Sequence, residues 1–149
     1  MLAEELNDIL QQLELQKLSE DGGTVIEVPL PADPGDQPAV VRIALKLDLD
    51  NEAFVLAMPI GALAGNAKPN TFRALFEETF WMDRTRGTCV VLNPETSILL
   101  AVQHWVLPTI TREQFETLLE QFFLGGTRLM EVAHTLSTID KAIRPVLAD

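Results

Sequence analysis

Residues 39–49 constrain the fold more than any other stretch. Val41, Ile43, Leu45, Leu47 and Leu49 occupy every second position, and Arg42, Lys46 and Asp48 alternate with them on the other side together with Val40 and Ala44. A strand puts successive side chains on opposite faces, so this pattern describes a strand with one face in a core and one face in water. Such strands belong to antiparallel sheets covered on a single face, because parallel sheets bury both. The chain must therefore supply helices to cover one side of a sheet.

Those helices are legible. Leu2, Leu6, Ile9, Leu10 and Leu13 recur at helical spacing, with Glu4, Glu5, Asn7, Asp8, Gln11 and Gln12 opposite, which predicts an amphipathic helix over residues 2–15. Asn70 is a candidate N-cap for a second helix over 71–81, where Phe72, Leu75, Phe76 and Phe80 form an apolar stripe and Glu77 and Glu78 face out. Thr111-Arg112-Glu113-Gln114 reads as a capping box, with Ile110 and Phe115 placed to close a hydrophobic staple. Phe115, Leu118, Leu119, Phe122 and Phe123 form the stripe of that third helix. Beyond Gly125-Gly126 the spacing resumes through Leu129, Met130, Ala133 and Leu136, so the paired glycines either interrupt the helix or let it pack closely; residues 125–149 are read as a continued helix or a C-terminal extension.

More strands complete the order. After the turn signal Asp21-Gly22-Gly23, residues 24–30 place Ile26, Val28 and Leu30 on one face. Four prolines over 29–38 call for an irregular connection. Residues 53–59, with Phe54, Leu56 and Met58, read as a third strand entered through a turn at Asp50-Asn51. Residues 88–92 and 96–107 read as a hairpin around Asn93-Pro94-Glu95. In its second strand Leu99, Ala101 and Trp105 oppose Ile98, Leu100, Val102 and Val106, so both faces are apolar and something should cover the second. The expected fold is one α+β domain spanning 1–149, in the order helix, three strands, helix, two strands, helix, with helices packed on an antiparallel sheet.

Composition narrows the function. The 149 residues carry 22 acids against 11 Lys and Arg, a net charge of −11 that repels nucleic acid and anionic membranes. No stretch approaches the roughly 20 apolar residues of a membrane span, and no signal peptide is recognisable at the start. With a lone cysteine, the expected compartment is the cytoplasm. His104 and His134 lack neighbours at metal-ligand spacing, so no metal site and no cofactor are expected. The pairs Asp33/Asp36 and Asp48/Asp50 read as solvated turn residues. Cys89 and His104 would come close across the hairpin, but the simpler reading is a small apolar thiol and a solvated imidazole. Phosphate-loop, dinucleotide, hydrolase-elbow and zincin signatures are absent, so no catalytic residue is assigned. The remaining resource is apolar surface for binding a protein.

The leucine-rich first helix, the alternating strand over 41–49, the aromatic segment FRALFEETF, the hairpin at Asn93-Pro94 and the segment FETLLEQFF together resemble the class I type III secretion chaperones, over roughly residues 2–123. The resemblance implies an ATP-independent cytoplasmic homodimer that holds an extended N-terminal segment of a secreted effector in a secretion-competent state. It implies a dimer interface on Phe72, Leu75, Phe76 and Phe80, and a partner-binding surface on Leu6, Ile9, Leu10, Leu13, Ile26, Val28, Val41 and Ile43. The competing expectation is a non-enzymatic regulatory or immunity-type adaptor that binds one folded protein.

Overall fold

The computed structural model describes residues 2–30, 34–35, 39–48, 50, 52–63, 73, 77, 87–135, 139–140 and 146–147. Its elements are α1 (Leu2–Gln12), β1 (Gly23–Pro29), β2 (Ala39–Asp48), β3 (Ala53–Leu63), β4 (Cys89–Asn93), β5 (Ile98–Val106), α2 (Arg112–Thr135) and two short strands, β6 (Ile139–Asp140) and β7 (Val146–Leu147). The main strands form one antiparallel sheet in the order β1-β2-β3-β5-β4. Both described helices pack on the same face of it. The architecture is thus the expected α+β arrangement of helix, strands and helix.

The alternation in β2 does what its pattern implies. Val41, Ile43, Leu45 and Leu47 are buried, while Arg42, Ala44 and Lys46 are exposed. Ile26 of β1, Phe54, Leu56 and Met58 of β3, and Leu99 and Ala101 of β5 continue that buried face, and Leu2, Leu6, Ile9 and Leu10 of α1 close it from above with Phe115, Phe122 and Leu129 of α2. The long strand β3 carries an irregularity between Pro59 and Gly61: Leu100 pairs with Pro59 and Leu99 with Gly61, which leaves Ile60 as the extra residue. A proline cannot donate to the ladder, and a bulge accommodates that loss.

Helix α1 ends earlier than its leucine spacing suggests. Glu14 adopts φ 58°, its N–H donates to the Gln11 carbonyl at 3.1 Å, and the Leu15 N–H donates to the Leu10 carbonyl at 2.8 Å. This is a Schellman cap with a glutamate in the left-handed position usually taken by glycine. Further on, the Asn7 Oδ1 accepts from the Leu18 N–H at 3.0 Å and pins the departing chain back on the helix.

The start of α2 confirms the capping box atom by atom. The Gln114 N–H donates to Thr111 Oγ1 at 3.2 Å, and the Thr111 N–H donates to Gln114 Oε1 at 3.0 Å. Ile110 and Phe115 are both buried beneath it, as a staple requires. The Ile110 N–H also donates to Glu5 Oε2 at 2.8 Å, so a carboxylate of α1 fixes where α2 begins.

Helix α2 runs unbroken through Gly125 and Gly126. At Gly126 the helix lies directly on β3: a β-carbon there would overlap the Met58 sulfur and sit 3.2 Å from its Cγ. Close packing, not interruption, is therefore the role of this glycine. After α2, β6 pairs with β3 at Ala62 and Leu63, and β7 pairs with β2 at Ala39 and Val40. Among the described residues after 125, the chain thus continues the helix to Thr135 and then adds two short strands that join the sheet.

Candidate functional site

Of the eight residues expected to meet a partner, Leu6, Ile9, Leu10, Val41 and Ile43 lie in the core. Their side chains already cover one another and present no surface in this conformation. Ile26, also buried, forms the floor of a groove that does open to solvent, and Leu13 and Val28 line its walls. The sequence stripe of α1 thus divides: its first three turns seal the core, and only its last apolar residue reaches the groove. The stripe expected at a dimer interface, Phe72, Leu75, Phe76 and Phe80, lies outside the described residues. In that segment Arg73 and Glu77 are described, both with helical backbone and joined by an Arg73 Nε to Glu77 Oε1 ion pair of 2.9 Å.

The groove is built by three elements. Leu13 and Leu15 come from the capped end of α1, Ile26, Val28 and Pro29 from β1, and Leu119 and Phe123 from α2. Its volume is about 410 Å³. The Schellman turn matters here, because the left-handed Glu14 reverses the chain and brings Leu15 beside Leu13 on the groove wall. Leu119 and Phe123 reach it because five apolar positions within nine residues make a stripe too wide for one core. Phe115 and Phe122 are fully buried, whereas Leu118, Leu119 and Phe123 are only half-buried on the flanks.

Three carboxylates surround this apolar channel: Glu27, Glu116 and Glu120. Glu27 is held by Arg42 at 3.1 Å and Glu116 by Arg112 at 3.4 Å, and both pairs are exposed to solvent. Glu120 has no ion pair among the described residues, so its charge is the least compensated at the rim. The groove also borders the edge of the sheet. β1 pairs with β2 on one side, and no described strand pairs with its other side. A strand edge with unpaired backbone groups next to an apolar channel is suited to receive an extended chain.

Other candidates do not assemble into a site. Cys89 and His104 are both exposed on the outer face of the sheet, and no hydrogen bond joins them. Asp48 Oδ1 accepts from the Asp50 N–H at 3.2 Å, as a turn residue does. Asp33 and Asp36 lie outside the described residues. His134 falls near the end of α2. Among the described residues no group of three His, Cys, Asp or Glu side chains is close enough to hold a metal ion, and no helix is long and apolar enough to cross a membrane. The outer sheet face is apolar, as the two-sided pattern of residues 98–106 implies: Val25, Val91 and Val106 are 44%, 42% and 64% exposed, so among the described residues nothing fully covers this second face.

The fold and this groove define a class: an α+β protein whose described helices lie on one face of a sheet, with an apolar channel beside a strand edge that no described strand pairs. Solved structures place that class more narrowly. No protein-family model matches the chain, and neither does any curated protein. It is similar, at 17% identity and a TM-score of 0.59, to a chain in the crystal structure of the ExsC–ExsE complex, covering 87% of this chain and 90% of that one. A chain in the HopA1–SchA chaperone–effector complex matches at 16% identity and a TM-score of 0.52, with 86% and 88% covered. A chain of the ExoU–SpcU heterodimer from the type III secretion system of Pseudomonas aeruginosa matches at 9% identity and a TM-score of 0.57, with 85% and 96% covered. The chain therefore has the fold of the class I type III secretion chaperones.

Proposed function

We propose that this protein is an ATP-independent type III secretion chaperone that binds an extended N-terminal segment of an effector protein and keeps it competent for export. The observation that carries the proposal is the apolar channel of Leu13, Leu15, Val28, Leu119 and Phe123 alongside the open edge of β1, on a fold shared with chaperone–effector complexes. An extended segment pairing with β1 would drop alternate side chains into the channel. Each fully buried Leu, Ile or Val contributes about 1.5–3 kcal/mol, so a few such side chains offset the cost of ordering the segment without any nucleotide. The carboxylates Glu116 and Glu120 favour basic residues flanking those apolar ones. In this reading the protein performs no catalysis and works in the cytoplasm as a homodimer, joined through Phe72, Leu75, Phe76 and Phe80.

Calorimetric titration with unfolded N-terminal fragments of candidate effectors tests the groove. Phe123→Glu places a charge in the channel and is expected to weaken binding at least tenfold while leaving the fold intact. Equal affinity in the variant would remove the groove from the reading. Light scattering tests the assembly: a mass near twice 16.5 kDa is expected, reduced to one protomer by Phe76→Glu. A monomer that binds only a folded ligand would instead identify an adaptor.

A further inference from the structure

The open edge of β1 is not uniform along its length. Two bonds just beyond the ends of the strand fix which of its backbone groups face β2: the Leu47 N–H donates to the Gly22 carbonyl at 2.9 Å, and the Leu30 N–H donates to the Ala39 carbonyl at 2.9 Å. In an antiparallel pair, directly opposed residues alternate between exchanging both backbone bonds and exchanging none. The register from Gly23↔Lys46 to Pro29↔Val40 therefore turns the N–H and C=O of Thr24, Ile26 and Val28 toward β2, and the backbone groups of Gly23, Val25, Glu27 and Pro29 toward the open side. Both ends of that open row are closed. The Gly23 carbonyl accepts from the Ser19 N–H at 2.8 Å, and the Gly23 N–H donates to Asp21 Oδ1 at 3.2 Å and to Ser19 Oγ at 3.3 Å. Pro29, at the other end, has no N–H to offer. Between them Val25 and Glu27 each keep a complete donor and acceptor, and no described residue takes these up. The groove meets this gap. Its lining takes the consecutive residues Ile26, Glu27, Val28 and Pro29, whose side chains alternate between the two faces, so the channel reaches round the edge of the strand.

We propose that β1 is a docking edge with two rungs: an effector segment pairs antiparallel with the backbone of Val25 and Glu27 alone, over about five residues, and directs two apolar side chains spaced i and i+2 into the groove. Antiparallel pairing is chosen because every ladder of this sheet is antiparallel and such pairing is the more stable per residue. Residues of the segment that lie opposite Ile26 and Val28 share their face, so these are the two that enter the channel beside Leu119 and Phe123. Edge strands are commonly blunted by proline, charge or a bulge to keep other chains away, and here the blunting stops short of the middle. A longer strand gains no further rungs on this edge, which leaves the two inward side chains to decide which segments bind. The inference rests on the effector-binding reading above and narrows its ligand to a short extended stretch with alternate apolar residues. Basic residues at its ends would meet Glu116 and Glu120 at the rim.

The probe is the peptide acetyl-Lys-Thr-Leu-Thr-Leu-Thr-Lys-amide, titrated into the full-length, ¹⁵N-labelled protein. In the free protein, amide exchange with deuterium is expected to be fast at Val25 and Glu27 and slow at Ile26 and Val28. Saturating peptide should slow Val25 and Glu27 by about tenfold or more. Peptides N-methylated at one amide each then read the rungs on the unaltered protein. In antiparallel pairing the last two threonines lie opposite Glu27 and Val25 and turn their N–H groups to β1, whereas the leucine N–H groups turn to solvent. Methylating either of those threonines should weaken binding about threefold to tenfold, the loss expected for one hydrogen bond, and methylating either leucine should not. Val25→Pro, which removes an N–H from the open side alone, should weaken the parent peptide by a similar factor. Slow exchange at Val25 or Glu27 in the free protein, equal losses at every amide, losses at the leucines instead, or no response up to the solubility limit of the peptide would overturn the proposal. The groove is judged separately, by whether Phe123→Glu weakens the binding of effector fragments, whatever the methylation series gives.

Discussion

Replacing Gly126 by alanine sets two effects of opposite sign against each other. Alanine is about 1 kcal/mol better than glycine inside a helix, and position 126 lies in the middle of the 24-residue α2. Against this, the new β-carbon would overlap the Met58 sulfur and lie 3.2 Å from Cγ and 3.3 Å from Cε of the same side chain. Met58 is fully buried, so it has no solvent to move into and must change rotamer within a packed core. Overpacking of this kind costs about 1–3 kcal/mol. The net expectation for Gly126→Ala is a loss of about 0–2 kcal/mol.

The sign reverses once the obstruction is removed. Met58→Ala alone is expected to cost about 2–5 kcal/mol through lost burial and the cavity it leaves. In that background the β-carbon at 126 has room, and Gly126→Ala should stabilise by about 1 kcal/mol through helix propensity alone. The coupling energy of the cycle then equals the overpacking cost, about 1–3 kcal/mol. Urea unfolding followed by far-ultraviolet circular dichroism measures all four corners, with the m-value held as a check that the denatured state is unchanged. If Gly126→Ala has the same sign and size in both backgrounds, α2 does not rest on β3 through this glycine and the helix–sheet docking described above is wrong.

Glu14→Gly should stabilise the protein by about 0.5–1 kcal/mol in the same assay, because it relieves a left-handed glutamate at φ 58° and removes a negative charge from the carboxyl end of α1; destabilisation would refute the cap. Asp21 titrates below the ordinary carboxylate range: the Ser19 hydroxyl, then the Gly23 N–H and the Lys46 ammonium, lower its pKa from 3.8 to about 2. A lowered acid contributes stability that is fully present above pH 3.8 and is lost as the pH falls through about 2. Asp21→Asn should therefore differ from the parent at pH 5 and converge with it near pH 2; since this carboxylate is fully exposed, the difference is small, and a gap that widens on acidification would contradict the assignment.

What could be read from the sequence was local. The capping box at Thr111 is complete within four residues, so its two hydrogen bonds were foreseeable, and the alternation of β2 needs nothing beyond its own period. Gly125-Gly126 was undecidable, because its meaning depends on Met58, which reaches the helix only through the tertiary fold. The end of α1 was misread by a few residues for a different reason: the left-handed position holds Glu14, and no glycine marks the stop. Most of the residues expected to bind a partner turned out to be core for a related reason. An apolar stripe shows that a face is covered, but not whether the cover is the same chain or another molecule. Leu119 and Phe123, assigned from the sequence to the stripe of the third helix, line the groove because that stripe is wider than the part of α2 that faces the core, where Phe115 and Phe122 are buried.

That excess width is what joins fold to function here. A helix that needed only to seal a core would carry a narrower apolar seam, with its flanks given to charge. Helix α2 sinks Phe115 and Phe122 into the core and spreads Leu118 to one flank and Leu119 and Phe123 to the other, so a recess opens on each side. Leaving half-exposed leucine and phenylalanine in water is unfavourable for the free protein, and the net charge of −11 opposes the self-association that such surfaces invite. Acidic side chains also stand at the rims as Glu113, Glu116 and Glu120, where, in the function proposed above, they would favour a partner segment that is apolar between basic residues. On that proposal, repulsion at the rim and attraction in the channel would act on the same helix, and specificity would follow from their difference rather than from either alone.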